Sequence, residues 1–281
     1  MGLISLPVFI LLAFLIVSSL TFLFLVSRVT ELPLPHIIIK SSGGSARGLA
    51  IVLSGIGGWL DFDHRLAKNL AAARLDVIGI DCLRYFYQKK KSPKKLAQDL
   101  SDVVQSWSSD WLLEEKTLTS NQPDIVLVGY SKGADVLPFA VNLLQPELRE
   151  QIQLVALLGV GRLATFKIQL SDMLGRGRNS LFPVQVTPEI RKLENIPGLC
   201  IYGDKDRVSL CRNLKRVPSM EVKEIKGGPV LHDAGSVADL ILAKYFALSA
   251  MRLSQINQME TGQASPSVDS LEPIGPHMDT P

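Results

Sequence analysis

Residues 125–140, IVLVGYSKGADVLPFA, constrain the fold of this chain more than any other stretch. The run Ile125-Val126-Leu127-Val128-Gly129 reads as a strand buried on both faces. Ala134-Asp135-Val136-Leu137-Pro138 reads as the first turns of a helix. Between them, Gly129-Tyr130-Ser131-Lys132-Gly133 is a G-x-S-x-G pattern. A serine on a strained strand-to-helix turn presents its oxygen at the top of a sheet only if the positions two before and two after it lack a bulky side chain. The helix that follows contributes free N–H groups and the positive end of its dipole, so the backbone N–H of Lys132 is placed to hold a developing oxyanion. In an ordinary strand–helix turn the serine would merely cap the helix. The apolar strand before it and the helix after it favour a nucleophile elbow.

The rest of the chain alternates in a way that suits such an elbow. His36-Ile37-Ile38-Ile39-Lys40 reads as a first strand and Leu49 to Leu53 as a second, buried one. Ser54-Gly55-Ile56-Gly57-Gly58-Trp59 is a glycine-rich loop leading to a helix over about 63–74. It has neither the spacing of a dinucleotide fingerprint nor the Gly-Lys-Ser/Thr of a phosphate loop. One strand–helix unit before an elbow, such a loop supplies a second oxyanion donor, here the backbone of Ile56 or Gly57. Strands at 77–81, 154–159, 199–203 and 221–225 and helices at about 93–111 and 235–251 complete the pattern. Leu83 to Tyr87 reads as a loop, and 161–183 as an irregular segment bordering a substrate cleft. Alternating strands and helices predict a mostly parallel sheet with helices on both faces.

Both ends of the 281-residue chain differ from this body. Leu3 to Val26 contains no charged residue, and about 24 such positions are long enough to cross a bilayer. With no Lys or Arg before the apolar run and no small-residue cleavage site after it, an uncleaved anchor is favoured over a cleaved signal. Residues 253–281 have no Lys or Arg, are rich in Ser, Gln, Gly and Pro, and read as a disordered acidic tail. The expected organisation is therefore an anchor over 1–35, a globular domain over 36–252 and a tail over 253–281. Lys89, Lys90, Lys91, Lys94 and Lys95 read as a solvated face, with attraction to an anionic membrane surface as the alternative. With a formal net charge of only +3, nucleic-acid binding is not expected.

A serine nucleophile needs a base and a group that orients it, in the chain order Ser, acid, His. Of the four histidines, His36 begins the first strand and His277 lies in the tail, which leaves His232, after the last strand, as the base. His64 precedes the nucleophile and stands next in line. Asp206, three residues past Gly203, is the candidate acid and Asp204 the alternative, both also being ordinary turn formers. Cys200 and Cys211 bracket that acid loop. They would form a disulfide on the oxidising side of a membrane and stay reduced otherwise, with Cys82 unpaired either way. No His/Cys cluster predicts a metal, and nothing calls for a cofactor.

Four stretches together resemble the bacterial virulence proteins VirJ and AcvB: Ser54 to Trp59, Leu83-Arg84-Tyr85-Phe86, Gly129 to Pro138, and Cys200 to Gly203 with Ser209-Leu210-Cys211. The resemblance spans roughly Leu49 to Phe246. It implies an α/β-hydrolase fold exported to the periplasm. With the apolar run read above as one N-terminal transmembrane helix, the domain is expected on the periplasmic side of the bacterial inner membrane. It also implies Ser131 as nucleophile and a Cys200–Cys211 disulfide. AcvB-like members remove lysine from lysyl-phosphatidylglycerol, and VirJ-like members are linked to type IV secretion. An aminoacylated phospholipid is thus the implied substrate and a secretion apparatus the implied partner. Ile56 stands where the family has an aspartate, Val208 where an aspartate precedes Ser-Leu-Cys, and Pro229-Val230-Leu231-His232 where it has Gly-Gly-His-His-Phe.

Overall fold

A computed structural model describes residues 34–42, 44–115, 123–173 and 183–260. Residues 1–33 of the expected membrane anchor, residues 174–182 of the irregular segment and residues 261–281 lie outside the described residues. Seven strands form one sheet: β1 His36–Ile39, β2 Gly48–Leu53, β3 Leu75–Ile80, β4 Asp124–Tyr130, β5 Ile152–Leu158, β6 Gly198–Gly203 and β7 Met220–Ile225. Their spatial order is β1-β3-β2-β4-β5-β6-β7, with only β1 antiparallel to its neighbour. The strand carrying the G-x-S-x-G pattern therefore lies at the middle of the sheet.

Unbroken apolar runs form these strands because both faces are covered. Within β2, Leu49, Ile51 and Leu53 point to one side and Ala50 and Val52 to the other, and all are buried. The first side packs on α2, Pro93–Glu115, through Leu96, Leu100 and Trp107, and on α3, Lys132–Val141, through Val136 and Leu137. The second packs on α1, Asp61–Ala72, through Phe62, Leu66 and Leu70, and on α4, Ala234–Glu260, through Val237, Ile241 and Tyr245. Each fully buried Leu or Ile contributes about 2 kcal/mol of transfer free energy, so these two layers dominate stability.

Two stretches depart from the sequence reading. Residues 82–86 form a short helix rather than a loop, because the Asp81 carboxylate accepts the N–H of Arg84 at 3.0 Å and caps it. The last helix continues to Glu260 rather than ending near 251, so 253–260 are helical and not tail. Just before that extension Asp124 fastens the helix, accepting from Tyr245 Oη at 3.2 Å, Ser249 Oγ at 3.4 Å and Arg252 Nη1 at 3.3 Å. By length and composition, Ala234–Gln255 could span a bilayer. Val237, Ile241 and Tyr245 are instead buried against the sheet, as in the core helix of a globular domain.

Between β5 and β6, Leu163–Ala164 pairs antiparallel with Val184–Gln185 in a two-stranded ribbon. Just after the first of these strands, the Phe166 ring packs edge-on against Phe86 and against Phe139 of α3. Ile168 exchanges backbone hydrogen bonds with Phe86 and Gln88.

Candidate active site

Ser131 sits between β4 and α3 with φ 49° and ψ −109°, a left-handed conformation costly for any residue but glycine. The two pattern glycines allow it. A Cβ on Gly129 would stand 2.6 Å from the backbone nitrogen of Ala134, and one on Gly133 would overlap the Leu53 carbonyl oxygen. The Ser131 N–H donates to the Leu158 carbonyl at 2.8 Å, and the Gly133 N–H to the Ser54 carbonyl at 3.1 Å. The Ser131 hydroxyl makes no hydrogen bond among the described residues. These contacts lock the bend and leave the oxygen free.

The glycine-rich loop lies beside it. Gly58 N–H donates to the Gly55 carbonyl at 3.1 Å, closing a tight turn over Ile56 and Gly57, and a Cβ on Gly55 would be 3.6 Å from that of Ser131. Among the described residues, the backbone N–H groups of Ile56, Gly57 and Lys132 donate to nothing. Ser54 is occupied structurally, its hydroxyl accepting the Cys82 N–H at 3.0 Å. Asp63 starts α1 by accepting the Leu60 N–H at 3.0 Å, while its buried Oδ1 has no partner among the described residues. Burial pushes its carboxyl up to about 6, with the neighbouring Asp81 adding to the rise.

Sequence reasoning missed two features of the elbow helix. The Lys132 side chain is buried: its ammonium donates to the carbonyl and hydroxyl oxygens of Thr165 and lies 5.6 Å from the centre of the Phe86 ring. Burial lowers its pKa, and the carboxylate of Asp135 opposes that shift. Asp135 accepts the Gly161 N–H at 2.7 Å, and burial raises its carboxyl to about 7. These two side chains fasten the 161–165 segment to the elbow. The sequence signal was the pair of charges in an otherwise apolar helix start.

Past β6, Asp206 is buried, and its Oδ1 accepts the N–H groups of Val208 at 3.0 Å and Ser209 at 3.1 Å. Its Oδ2 accepts no hydrogen bond among the described residues. Asp204 is exposed and holds the neighbouring loop, accepting the Gly227 N–H at 2.9 Å, which lowers its pKa. The Cys200–Cys211 disulfide is formed, with Cα atoms 5.6 Å apart, and Cys82 is buried and unpaired. The bridge ties β6 to the 3₁₀ helix Leu210–Arg216 directly behind the Asp206 loop.

His232 is exposed two residues before α4. Its carbonyl accepts from Arg65 at 3.0 Å, and its imidazole makes no hydrogen bond with Ser131, Asp206 or any other described residue. The loop is nevertheless pinned to the elbow, since the Leu231 N–H donates to the Tyr130 hydroxyl at 3.3 Å. Elbow and glycine-rich loop are thus assembled, whereas acid and histidine are not bonded to each other or to the serine. His64 is exposed on α1. No group of three or more His, Cys, Asp or Glu able to hold a metal occurs among the described residues.

A model of the bacterial virulence protein (VirJ) family matches residues 47–248. The chain belongs to this VirJ family. None of the curated proteins compared matches it. Among solved structures, Est1E from Butyrivibrio proteoclasticus superposes with a TM-score of 0.51 at 15% identity, covering 77% of this chain and 94% of that one. That likeness shows the α/β-hydrolase fold. The thioesterase domain from the curacin biosynthetic pathway has a TM-score of 0.49 at 14% identity, over 74% of this chain and 99% of that one. The esterase domain from a Rhodothermus marinus protein has the same score at 13% identity, over 75% and 91%.

Proposed function

We infer that this VirJ-family protein is a serine ester hydrolase, with Ser131 as nucleophile and an aminoacylated phospholipid of the lysyl-phosphatidylglycerol kind as substrate. One observation carries the reading. Ser131 is held at φ 49°, and among the described residues neither its hydroxyl nor the three backbone N–H groups beside it have a partner. A strained serine facing idle donors costs stability and suits only a group whose charge develops during reaction.

In the proposed mechanism His232 removes the hydroxyl proton as Ser131 attacks the acyl carbon, and Asp206 Oδ2 accepts from the imidazole. Lys132 N–H, with Ile56 or Gly57 N–H, holds the tetrahedral oxyanion, each donor lowering the barrier by about 3 kcal/mol. The imidazolium then protonates the leaving alcohol of the lipid, and water, deprotonated by the same ring, releases the amino acid and restores Ser131. Asp206 is buried with its Oδ2 unfilled among the described residues, which supports it over the exposed Asp204. Residues 3–26 anchor the domain to the inner membrane and place it in the periplasm.

A second reading, a non-catalytic hydrolase-fold partner of a type IV secretion apparatus, is favoured by the unbonded imidazole of His232. Purified full-length protein in detergent, given lysyl-phosphatidylglycerol, separates the two. Release of free lysine that is lost in Ser131→Ala supports the enzyme, and intact lipid after prolonged incubation supports the scaffold.

A further inference from the structure

A cavity of about 940 Å³ opens beside the acid loop, and Arg162, Arg191 and Arg216 line it. Three separate elements deliver them: the start of the ribbon, the end of the short helix Thr187–Arg191, and the end of the 3₁₀ helix Leu210–Arg216. None of the three guanidinium groups makes a hydrogen bond or ion pair among the described residues. Among the described residues the single carboxylate in the lining is that of Glu194, so three guanidinium groups face one negative charge and the wall is net positive. Asn213 adds a neutral polar side chain. Ser219 also lines the cavity, its hydroxyl buried without a hydrogen-bond partner.

Like charges gathered from three elements repel unless something negative joins them, and guanidinium forks match the paired oxygens of a phosphate. The place is also rigidly built. The Cys200–Cys211 bridge holds the 3₁₀ helix against β6, and the Leu210 N–H donates to the Val160 carbonyl at 2.9 Å. The volume exceeds what a bare phosphate fills and lies in the range of pockets that enclose whole small molecules.

We propose that this cavity is a binding site for a phosphate ester, its phosphate held by Arg162, Arg191 and Arg216 and its organic body by the remaining wall. The chemistry fits a soluble phosphate ester and a phospholipid headgroup alike. The site uses none of the residues assigned to the reaction and stands whether or not Ser131 is a nucleophile.

Isothermal titration calorimetry on the disulfide-intact full-length protein tests it, with inorganic pyrophosphate and monomeric short-chain phosphatidylglycerol as probes. The expected result is saturable binding of at least one probe that weakens with added salt. Arg191→Ala and Arg216→Ala should each weaken it about tenfold, and Arg216→Lys, which keeps the charge without the fork, severalfold. Lys94→Ala, outside the cavity, and Ser131→Ala should leave it unchanged. Binding of pyrophosphate alone identifies a soluble ligand, and binding of the lipid alone identifies a headgroup. Failure of the wild type to bind either probe, or equal binding by wild type and Arg191→Ala/Arg216→Ala, would overturn the proposal. Melting curves on each variant separate lost binding from lost fold, and Arg216→Lys decides the matter should an alanine variant misfold.

Discussion

Tyr130 and Leu231, each next to a candidate catalytic residue, are joined by a hydrogen bond of 3.3 Å from the Leu231 N–H to the Tyr130 hydroxyl. Through it the elbow of Ser131 and the loop of His232 are one mechanical unit, although the two functional side chains are not bonded. The Tyr130 ring is itself held by Phe62 of α1, with ring centres 4.8 Å apart. Tyr130→Phe keeps that packing and removes only the acceptor. It should cost about 1 kcal/mol in urea unfolding. Hydrogen exchange at Leu231 should rise while exchange in β4 stays slow.

Ser131→Gly should remove the nucleophile and stabilise the protein at once. Glycine adopts φ 49° without the steric cost borne by serine, so a gain of about 1 kcal/mol is expected in chemical denaturation. Ser131→Ala keeps the strain and should gain nothing comparable. A shared gain in both variants would mean that the bend is not strained.

The bridge between Cys200 and Cys211 closes a loop with a sequence separation of 11. Chain entropy assigns it about 3 kcal/mol. Cys200→Ser/Cys211→Ser should therefore unfold at clearly lower denaturant concentration. Thiol titration of the unfolded, unreduced wild type should find only Cys82 reactive.

Stability should fall as pH rises through the weakly acidic range. Burial holds Asp63 at about 6 and Asp135 at about 7, both above the 3.8 of the unfolded chain. Below about 4 each is protonated in both states and no difference arises. Between 4 and 7 the unfolded chain releases protons that the folded chain retains, which favours unfolding, and the loss is complete above 7. Asp63→Asn keeps an oxygen for the Leu60 N–H. It should flatten the lower part of this slope and raise stability at pH 8 by about 2 kcal/mol. An unchanged slope would place the responsible carboxylates elsewhere.

Much of this architecture was legible in the sequence, because in a sheet covered on both faces composition and order coincide. The continuous apolar runs of β2 and β4, the glycines flanking Ser131 and the loop from Ser54 to Trp59 each need a particular backbone, and those backbones are present. Harder to read was whatever depends on distant partners. The clamp of Asp124 on Tyr245, Ser249 and Arg252 of α4 is such a case, whereas the Asp81 cap on 82–86 is a local signal that the loop reading passed over. Nothing local to Lys132 announced that Thr165 would bury its ammonium. For His232, its position after the last strand was readable from chain order. The direction of its ring depends on a loop held by Tyr130 and Arg65, which no spacing rule encodes.

Labelling of the folded, full-length protein with a fluorophosphonate probe tests the central claim most directly, since only an activated serine reacts. The account predicts covalent modification of Ser131 in the wild type, absent in Ser131→Ala, retained in Ser54→Ala and strongly slowed in His232→Ala. A folded wild type that remains unlabelled would contradict it.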